Sequence, residues 1–351
     1  MERKLASIQQ IKEILPIEGA DAIELAVVNG WKVVVAKTAE HKTGDLVVYC
    51  EIDSFLPVRE EFEFLRKSSY KKMGDQEGFR LRTIKLRGQV SQGLILPMSV
   101  FGDFSWTAYE GLDVTERLGI VKWEPPIPAE LAGVAKGLFP SFLKKTDEER
   151  IQNMASEYEE MKRESYYVTE KLDGSSATFY YRNGEFGVCS RNLELLETEG
   201  NTFWKVAREL NLEEKMRSLE KNTCLQGELV GEGIQGNPYR LKGQTVKFFN
   251  AYKIDDGEYY DFLSMATLLD YLGLETVPVL NTNYELPPTV EILLSDADGK
   301  SRLNENADRE GLVIRSHDRK ISFKAISNKF LLKEDDRPSK GERLNWENTK
   351  N

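Results

Sequence analysis

From Leu5 to about Gly119 the chain is cut into short β-like runs by closely spaced turn signals, and that spacing points to a small all-β domain. Ile23-Glu24-Leu25-Ala26-Val27-Val28, Trp31-Lys32-Val33-Val34-Val35-Ala36, Leu46-Val47-Val48-Tyr49-Cys50 and Gly93-Leu94-Ile95-Leu96-Pro97 are dominated by β-branched and large apolar residues. Asn29-Gly30, Lys42-Thr43-Gly44-Asp45 and Gly88-Gln89 separate them with residues suited to tight turns. Between the last two, Phe79, Leu81, Ile84 and Leu86 alternate with Arg80, Arg82, Lys85 and Arg87, with one slip of phase at Thr83. That pattern predicts a strand with a basic face and a bulge.

Five or so strands in about 100 residues fit a small closed barrel of the OB type, a fold that often receives nucleic-acid strands, as they would many other small β domains. Arg80, Arg82, Lys85 and Arg87 are its candidate nucleic-acid contacts, although such a face can equally be a solvated exterior. The net charge of −10 opposes a uniformly basic binder, so any phosphate contact has to come from local clustering.

With 351 residues the chain has material for two domains. Trp123-Glu124-Pro125-Pro126-Ile127-Pro128 marks a linker, and Thr146 or Asp147 can cap a following helix whose first turn carries acidic residues. Beyond Tyr166 strands and helices mix. Ser176–Tyr181 and Gly187–Ser190 read as a hairpin around Asn183-Gly184, Thr202–Leu210 and Asp261–Leu272 have helical spacing, and Gly311–Arg315 and Ile321–Ala325 read as strands. The predicted class is α+β, with an OB module over 1–122, a linker over 123–145, a second domain over 146–340 and a polar tail over 341–351.

No apolar run approaches the ~18 residues needed to span a bilayer, and Met1-Glu2-Arg3-Lys4 does not lead into a signal-peptide core. A soluble intracellular protein is expected. Cys50, Cys189 and Cys224 are too few and too widely spaced for a disulfide framework or zinc cluster and read as buried thiols. His41 and His317 are the only histidines. Neither lies in a nucleophile motif, which argues against serine or cysteine hydrolysis.

The chemistry-bearing stretch is Glu170-Lys171-Leu172-Asp173-Gly174-Ser175-Ser176. A lysine attacks phosphorus only as a neutral amine, and an unperturbed pKa near 10.4 leaves on the order of one molecule in a thousand neutral at pH 7. A divalent cation held by Asp173 beside the amine would lower that pKa by like-charge repulsion, and Gly174 would let a phosphate or base approach the backbone. An exposed hairpin turn would show the same residues. In fixed order, however, there follow Ser190-Arg191-Asn192, Gln226-Gly227-Glu228-Leu229-Val230-Gly231, Lys247-Phe248-Phe249-Asn250-Ala251-Tyr252, Glu310-Gly311-Leu312-Val313-Ile314-Arg315 and Phe323-Lys324-Ala325. Each has strand context, and together their types suit holding a nucleoside triphosphate.

This ordered set resembles the covalent lysine nucleotidyltransferases, which include polynucleotide ligases and mRNA capping enzymes. It is most similar to ATP-dependent RNA ligases of the Naegleria- and Deinococcus-type clade, which carry an OB module ahead of the catalytic domain. The resemblance spans roughly Tyr166 to Phe330, and in architecture the N-terminal region. It implies that Lys171 attacks the ATP α-phosphorus to form a lysyl-adenylate, that AMP passes to an RNA 5′-phosphate, and that a 3′-hydroxyl then seals the strand. Asp173, Glu228 and Glu310 would place Mg²⁺ or Mn²⁺, directly or through water. Glu170, Arg191, Glu228, Phe249, Glu310 and Lys324 would line the ATP site, with Phe249 on the adenine and Lys324 on the α-phosphate. Phe248 or Tyr252 could be the stacking ring instead. Arg150 would reach the β,γ-phosphates unless it is a solvated helix arginine. Where these ligases often carry a second lysine, Ile326 follows Ala325; Lys329 would replace it or bind RNA.

DNA ligases and capping enzymes usually add an OB domain after the last motif, whereas 27 residues follow Lys324 here. Ser175-Ser176 also stands where those groups carry an arginine. A non-catalytic RNA-binding protein has no use for the clustered lysine and carboxylates. The expected partner is RNA, as a nicked duplex or broken strand ends, handled by a monomer without a membrane.

Overall fold

The computed structural model describes residues 3–103, 105–124 and 133–335. The chain divides into two compact units. Residues 1–126, 151–156 and 328–351 form the first, and residues 127–150 and 157–327 form the second. The proline cluster and the polar tail of the sequence analysis lie outside the described residues, apart from Trp123 and Glu124.

Among the described residues of the first unit, β1 (Ala6–Pro16), β2 (Ile23–Val28), β3 (Trp31–Ala36), β4 (Leu46–Cys50) and a later strand, Leu94–Leu96, make one sheet. Residues 6–10 of β1 pair with β4, and residues 11–16 pair with β2 across a bulge between Ile11 and Glu13. The bulge bends one strand around the barrel. The two edge strands, β3 and Leu94–Leu96, come together, so the sheet nearly closes on itself. Ala6, Ile8, Val48, Cys50 and Leu96 fill its interior with Leu56, Phe62 and Phe79. β2, β3 and β4 fall where the alternation places them. β1 reads in sequence as a polar amphipathic lead-in, because its bulge breaks the two-residue period.

The basic run does not form one bulged strand. β5 (Ser54–Pro57) and β6 (Tyr70–Met73) flank β7 (Gln76–Arg80), while β8 (Thr83–Leu86) pairs with β9 (Gln89–Gln92), leaving Leu81-Arg82 as the crossing between two sheets. The Leu94–Leu96 strand is β10, and β11 (Val121–Lys122) adds an edge to β5. Phe79 and Leu81 are buried, but Ile84 and Leu86 are exposed. Period-two alternation alone cannot show that the strand changes sheets halfway.

In the second unit, β12 (Ala135–Leu138), β13 (Glu149–Arg150), β14 (Tyr166–Lys171), β15 (Ser175–Arg182), β16 (Glu185–Cys189), β17 (Leu193–Leu195), β18 (Thr223–Gly231), β19 (Gln244–Lys253), β20 (Glu258–Tyr259), β21 (Val279–Tyr284), β22 (Gly311–Ser316) and β23 (Ser322–Ile326) form two sheets among the described residues. Their orders are β12-β17-β16-β15-β18-β19-β20 and β13-β23-β22-β14-β21. The β15–β16 hairpin turns at Asn183, whose φ of 51° is the left-handed conformation such a turn needs. Ala177, Phe179, Leu225, Leu229 and Phe248 pack beneath the first sheet against Trp204, Val206 and Ala207 of the helix Thr202–Glu209 and Met265 and Leu269 of the helix Phe262–Tyr271. Asn201 and Asp261 cap these helices by accepting backbone N–H bonds. Because side chains alternate, the opposite face of the same strands carries Ser176, Gln226 and Glu228.

No helix starts at Thr146 or Asp147. Glu149–Arg150 instead pairs in parallel with Phe323–Lys324 and leads into a 3-10 turn, Ile151–Met154. The charged run looks like a helix start in sequence, but its backbone is used by a sheet edge. The turn itself is part of the first unit. Trp31 Nε1–H donates to Asn153 Oδ1 at 2.5 Å, Asn153 Nδ2–H donates to Glu51 Oε1 at 2.6 Å, and Gly30 N–H donates to the Gln152 carbonyl at 2.9 Å. Glu51 and Trp31 are both buried. Asn153→Ala removes the acceptor of one and a donor to the other, so it should cost about 2 kcal/mol, read as a lower denaturation midpoint with unchanged slope in urea unfolding.

Candidate active site

Lys171 closes β14, and a short turn carries the chain into β15. A Cβ at Gly174 would stand 2.5 Å from the Leu229 carbonyl oxygen and 2.7 Å from Glu228 Cγ. This glycine therefore lets the turn lie flat on β18, and the protein itself takes the close approach that the sequence assigned to a ligand. Gly227 and Gly231 behave alike, since their Cβ atoms would meet the Lys247 carbonyl at 2.7 Å and the Gly243 carbonyl at 2.2 Å. They serve strand packing around Glu228.

The amine of Lys171 lies 2.6 Å from Glu310 Oε1. Burial alone would pull its pKa down, but the charges of Glu310, Glu228 and Asp173 outweigh that and hold it above the ordinary lysine range. Burial pushes the Glu228 carboxyl up to about 8, opposed by Lys171 and reinforced by Glu310 and Asp173. One cation among three carboxylates leaves local negative charge, and an all-oxygen donor set suits a hard divalent cation. Among the described residues no three Asp, Glu, His or Cys side chains stand close enough to chelate an ion directly. The fit is to an ion that keeps part of its water shell.

Register places the remaining groups. Residues paired across neighbouring strands share a face, and Lys171 pairs with Gly311, Thr169 with Val313 and Tyr167 with Arg315. On β23, Ile326, Lys324 and Ser322 continue these three rows, and β13 sets Arg150 beside Lys324. Lys171, Val313, Lys324 and Arg150 thus line one face. Arg150 is a buried strand residue, not a solvated helix arginine. Glu170 has the opposite orientation. Its Oε2 accepts the Arg302 N–H at 2.8 Å, and burial raises its pKa.

Packing distinguishes the three candidate aromatics. Phe248 is fully buried against Phe179, and Tyr252 packs on Tyr259. Gln226 pairs with Asn250 while Gly227 pairs with Phe248, so Phe249 is the extra residue of a bulge. A bulge re-aims its side chain, and Phe249 is partly exposed, with the Arg315 guanidinium 5.8 Å from its ring centre.

A strap missed in the sequence crosses both sheets. The Lys144 carbonyl accepts from Gln226 at 2.6 Å, Thr146 Oγ1 lies 3.0 Å from Ser176 Oγ, and Asp147 pairs with Arg191 at 2.6 Å. Glu148 accepts from Arg315 at 2.8 Å and from Ser322 at 2.5 Å. Arg315 in turn is almost fully buried. The run Asp147-Glu148-Glu149-Arg150 carries no signal separating such a strap from a solvated helix turn.

Arg191 is exposed; Lys329 belongs to the helix Asn328–Asp335, in the first unit, and Ile326 is buried opposite Gly311. In the first unit, Arg80 lies 3.7 Å from the Asp53 carboxylate and over the Trp123 ring. Arg82 falls in the strand crossing, while Lys85 and Arg87 are exposed on the β8–β9 hairpin.

Comparison with known proteins agrees with this architecture. A family model described as an OB-fold domain matches residues 5–98, and one described as RNA ligase matches residues 164–331. No curated protein matches. Among solved structures, Naegleria gruberi RNA ligase with pyrophosphate is 47% identical, with a TM-score of 0.89, covering 96% of this chain and 100% of that one. A point mutant of the same ligase in apo form is 46% identical, with a TM-score of 0.90 and coverage of 95% and 99%. Another mutant, with ATP and manganese, is 47% identical, with a TM-score of 0.88 and the same coverage. Likeness at this identity over nearly the full length of both chains, with the lysine motif and its companions on facing strands, means that the chain belongs to the RNA ligase family.

Proposed function

We propose that the groove around Lys171 is the ATP site of an RNA ligase that joins 5′-phosphate and 3′-hydroxyl ends, at nicks whose 3′-hydroxyl strand is RNA. The observation that carries this is a partly buried lysine at a strand end, ion-paired to Glu310 and under the charges of Glu228 and Asp173. The Naegleria ligase structures with ATP and manganese, with AMP and manganese, and with pyrophosphate support the choice of nucleotide and metal.

In the first step Lys171 Nζ attacks the α-phosphorus, the bond to the bridging oxygen of pyrophosphate breaks, and the amine loses its protons. A divalent cation held through water by Asp173, Glu228 and Glu310 would neutralise those carboxylates and favour the neutral amine. Lys324 and Arg150, side by side, would hold the phosphates, and Phe249 would stack on the adenine. Arg191 would release Asp147 to reach the ribose or the RNA end. An RNA 5′-phosphate oxygen next attacks the phosphorus of the lysyl-adenylate and frees Lys171. The 3′-hydroxyl then attacks that 5′-phosphorus and expels AMP. Lys85 and Arg87, together with Arg80 and Arg82, would hold the nucleic acid.

Incubation with α-labelled ATP and manganese should give a denaturation-stable protein–AMP adduct that Lys171→Ala abolishes. A wild-type protein without adduct would remove the proposal. Replacing Lys85 and Arg87 together by Ala should lower nick sealing roughly tenfold at moderate salt, while the rate of adduct formation stays unchanged. Glu228 gives a pH test in metal-free buffer. Its carboxyl titrates at about 8 in the folded chain and near 4.3 when unfolded, so the folded state holds the proton longer and loses stability as pH rises between those values. Glu228→Gln should therefore melt higher than wild type at pH 8, with the difference shrinking toward pH 5.

A further inference from the structure

The loop 231–243 between β18 and β19 has no part in the roles above, yet it is built as a fixed object. Gln235, Asn237 and Arg240 take left-handed φ values of 47°, 48° and 53°, a conformation that non-glycine residues hold only when their surroundings enforce it. The enforcing bonds are present. Asn237 accepts the Leu241 N–H at 3.1 Å and donates to the Leu241 carbonyl at 2.9 Å, Asn304 donates to the Pro238 carbonyl at 2.8 Å, and Gln244 donates to the Glu232 carbonyl at 2.8 Å.

This braced loop delivers Tyr239 beneath the lysine turn. The side chain is 4% exposed and packs with Leu172, Val230 and Val277. Its hydroxyl oxygen accepts the Asp173 backbone N–H at 2.5 Å. Burial drives the phenol pKa far above its ordinary value, so it remains a neutral hydroxyl at any working pH. The Asp173 amide is thereby fixed two residues from the reacting amine. A second bond from the same loop, Gln235 Nε2–H to the Gly174 carbonyl at 3.2 Å, holds the next residue.

We propose that Tyr239 is a positioning residue for lysine adenylylation: its hydroxyl sets the backbone of Asp173, and through it the direction of the Asp173 carboxylate relative to Lys171. It touches neither nucleotide nor metal. The inference rests on reading Lys171 as the nucleophile. A carboxylate that meets an ion through water tolerates little misplacement, because each bridging bond spans a narrow range of distance and angle.

Tyr239→Phe removes the acceptor and keeps the ring. Relative to wild type, adduct formation at saturating ATP should slow roughly tenfold, the equivalent of one charge-neighbouring hydrogen bond. The KM for ATP should remain unchanged, while the manganese concentration giving half the maximal rate should rise. A binding measurement separates this from loss of activity: in a Lys171→Met background, calorimetry should show weaker manganese binding to the ATP complex after Tyr239→Phe, with metal-free ATP binding unaltered. An unchanged rate and manganese dependence would overturn the inference while leaving the lysine assignment intact. A Tyr239→Phe protein that melts far below wild type would overturn it too, by making the hydroxyl a folding element. Absence of any wild-type adduct would instead strike the underlying function.

Discussion

The groove depends on a conflict of charge. As the proposed nucleophile, Lys171 must shed a proton, yet Glu310 lies 2.6 Å from its amine, and Glu228 and Asp173 act on it as well. A pair about 4 Å apart is worth on the order of 4 kcal/mol at an effective dielectric of 20, and one pKa unit is only about 1.4 kcal/mol. Such terms exceed the opposing effect of burial, which is why the amine stays charged in this arrangement. The same carboxylates that protect the proton are the groups a divalent cation would engage. On the proposed reading, protonation and metal binding would compete for one cluster, and the nucleophile would be released when an ion takes the charge that the amine had balanced.

The two sheets that supply this cluster are tied by the strap 144–150. Its bonds run from Gln226 and Ser176 on one sheet to Arg315 and Ser322 on the other. Arg315 of the Glu148–Arg315 pair is buried, and removal of Glu148 would leave its charge without a counterion, the costly case for buried ions. Beyond it, Arg319 joins Tyr167 of β14 to Asn250 of β19, at 2.8 Å each. These links fix the spacing of the facing strands, and with it the distance from Lys171 to Glu228.

Much of this is visible in residue pattern. Strands with clean alternation, such as β2, β3 and β15, fall where the sequence puts them, because each pairs within one sheet throughout. Asn183-Gly184 and the caps at Asn201 and Asp261 carry local chemistry that needs no tertiary information. The departures share one cause. β1 bends through a bulge, the basic run changes sheets at Leu81, and residues 149–150 join a distant strand in parallel; each depends on a partner remote in sequence. At the site, ordered motifs identify Lys171, Glu228 and Glu310, but only packing separates Phe249 from Phe248, and only register turns Glu170 away from Lys171. The glycines beside Glu228 show the reverse hazard. They signal close approach correctly, and the approaching group is a neighbouring strand.

Register also bears on the residue that departs from the usual pattern of RNA ligases. Ile326 is buried and pairs with Gly311, where a Cβ would meet the Ala325 carbonyl at 2.3 Å. That row continues to Lys171 on β14, so the sheet places an apolar side chain, not a second cation, at its β23 end. Two residues earlier, the row of Lys324 is open to β13, and parallel pairing brings Arg150 alongside it. A second cation next to Lys324 is therefore supplied laterally, from another strand, instead of from further along the same one. A guanidinium can meet two phosphate oxygens at once, so on the proposed reading Arg150 would offer a bidentate contact in place of a lysine point charge. Holding Arg150 there falls to the strap, whose Glu148 end is anchored on Arg315 and Ser322.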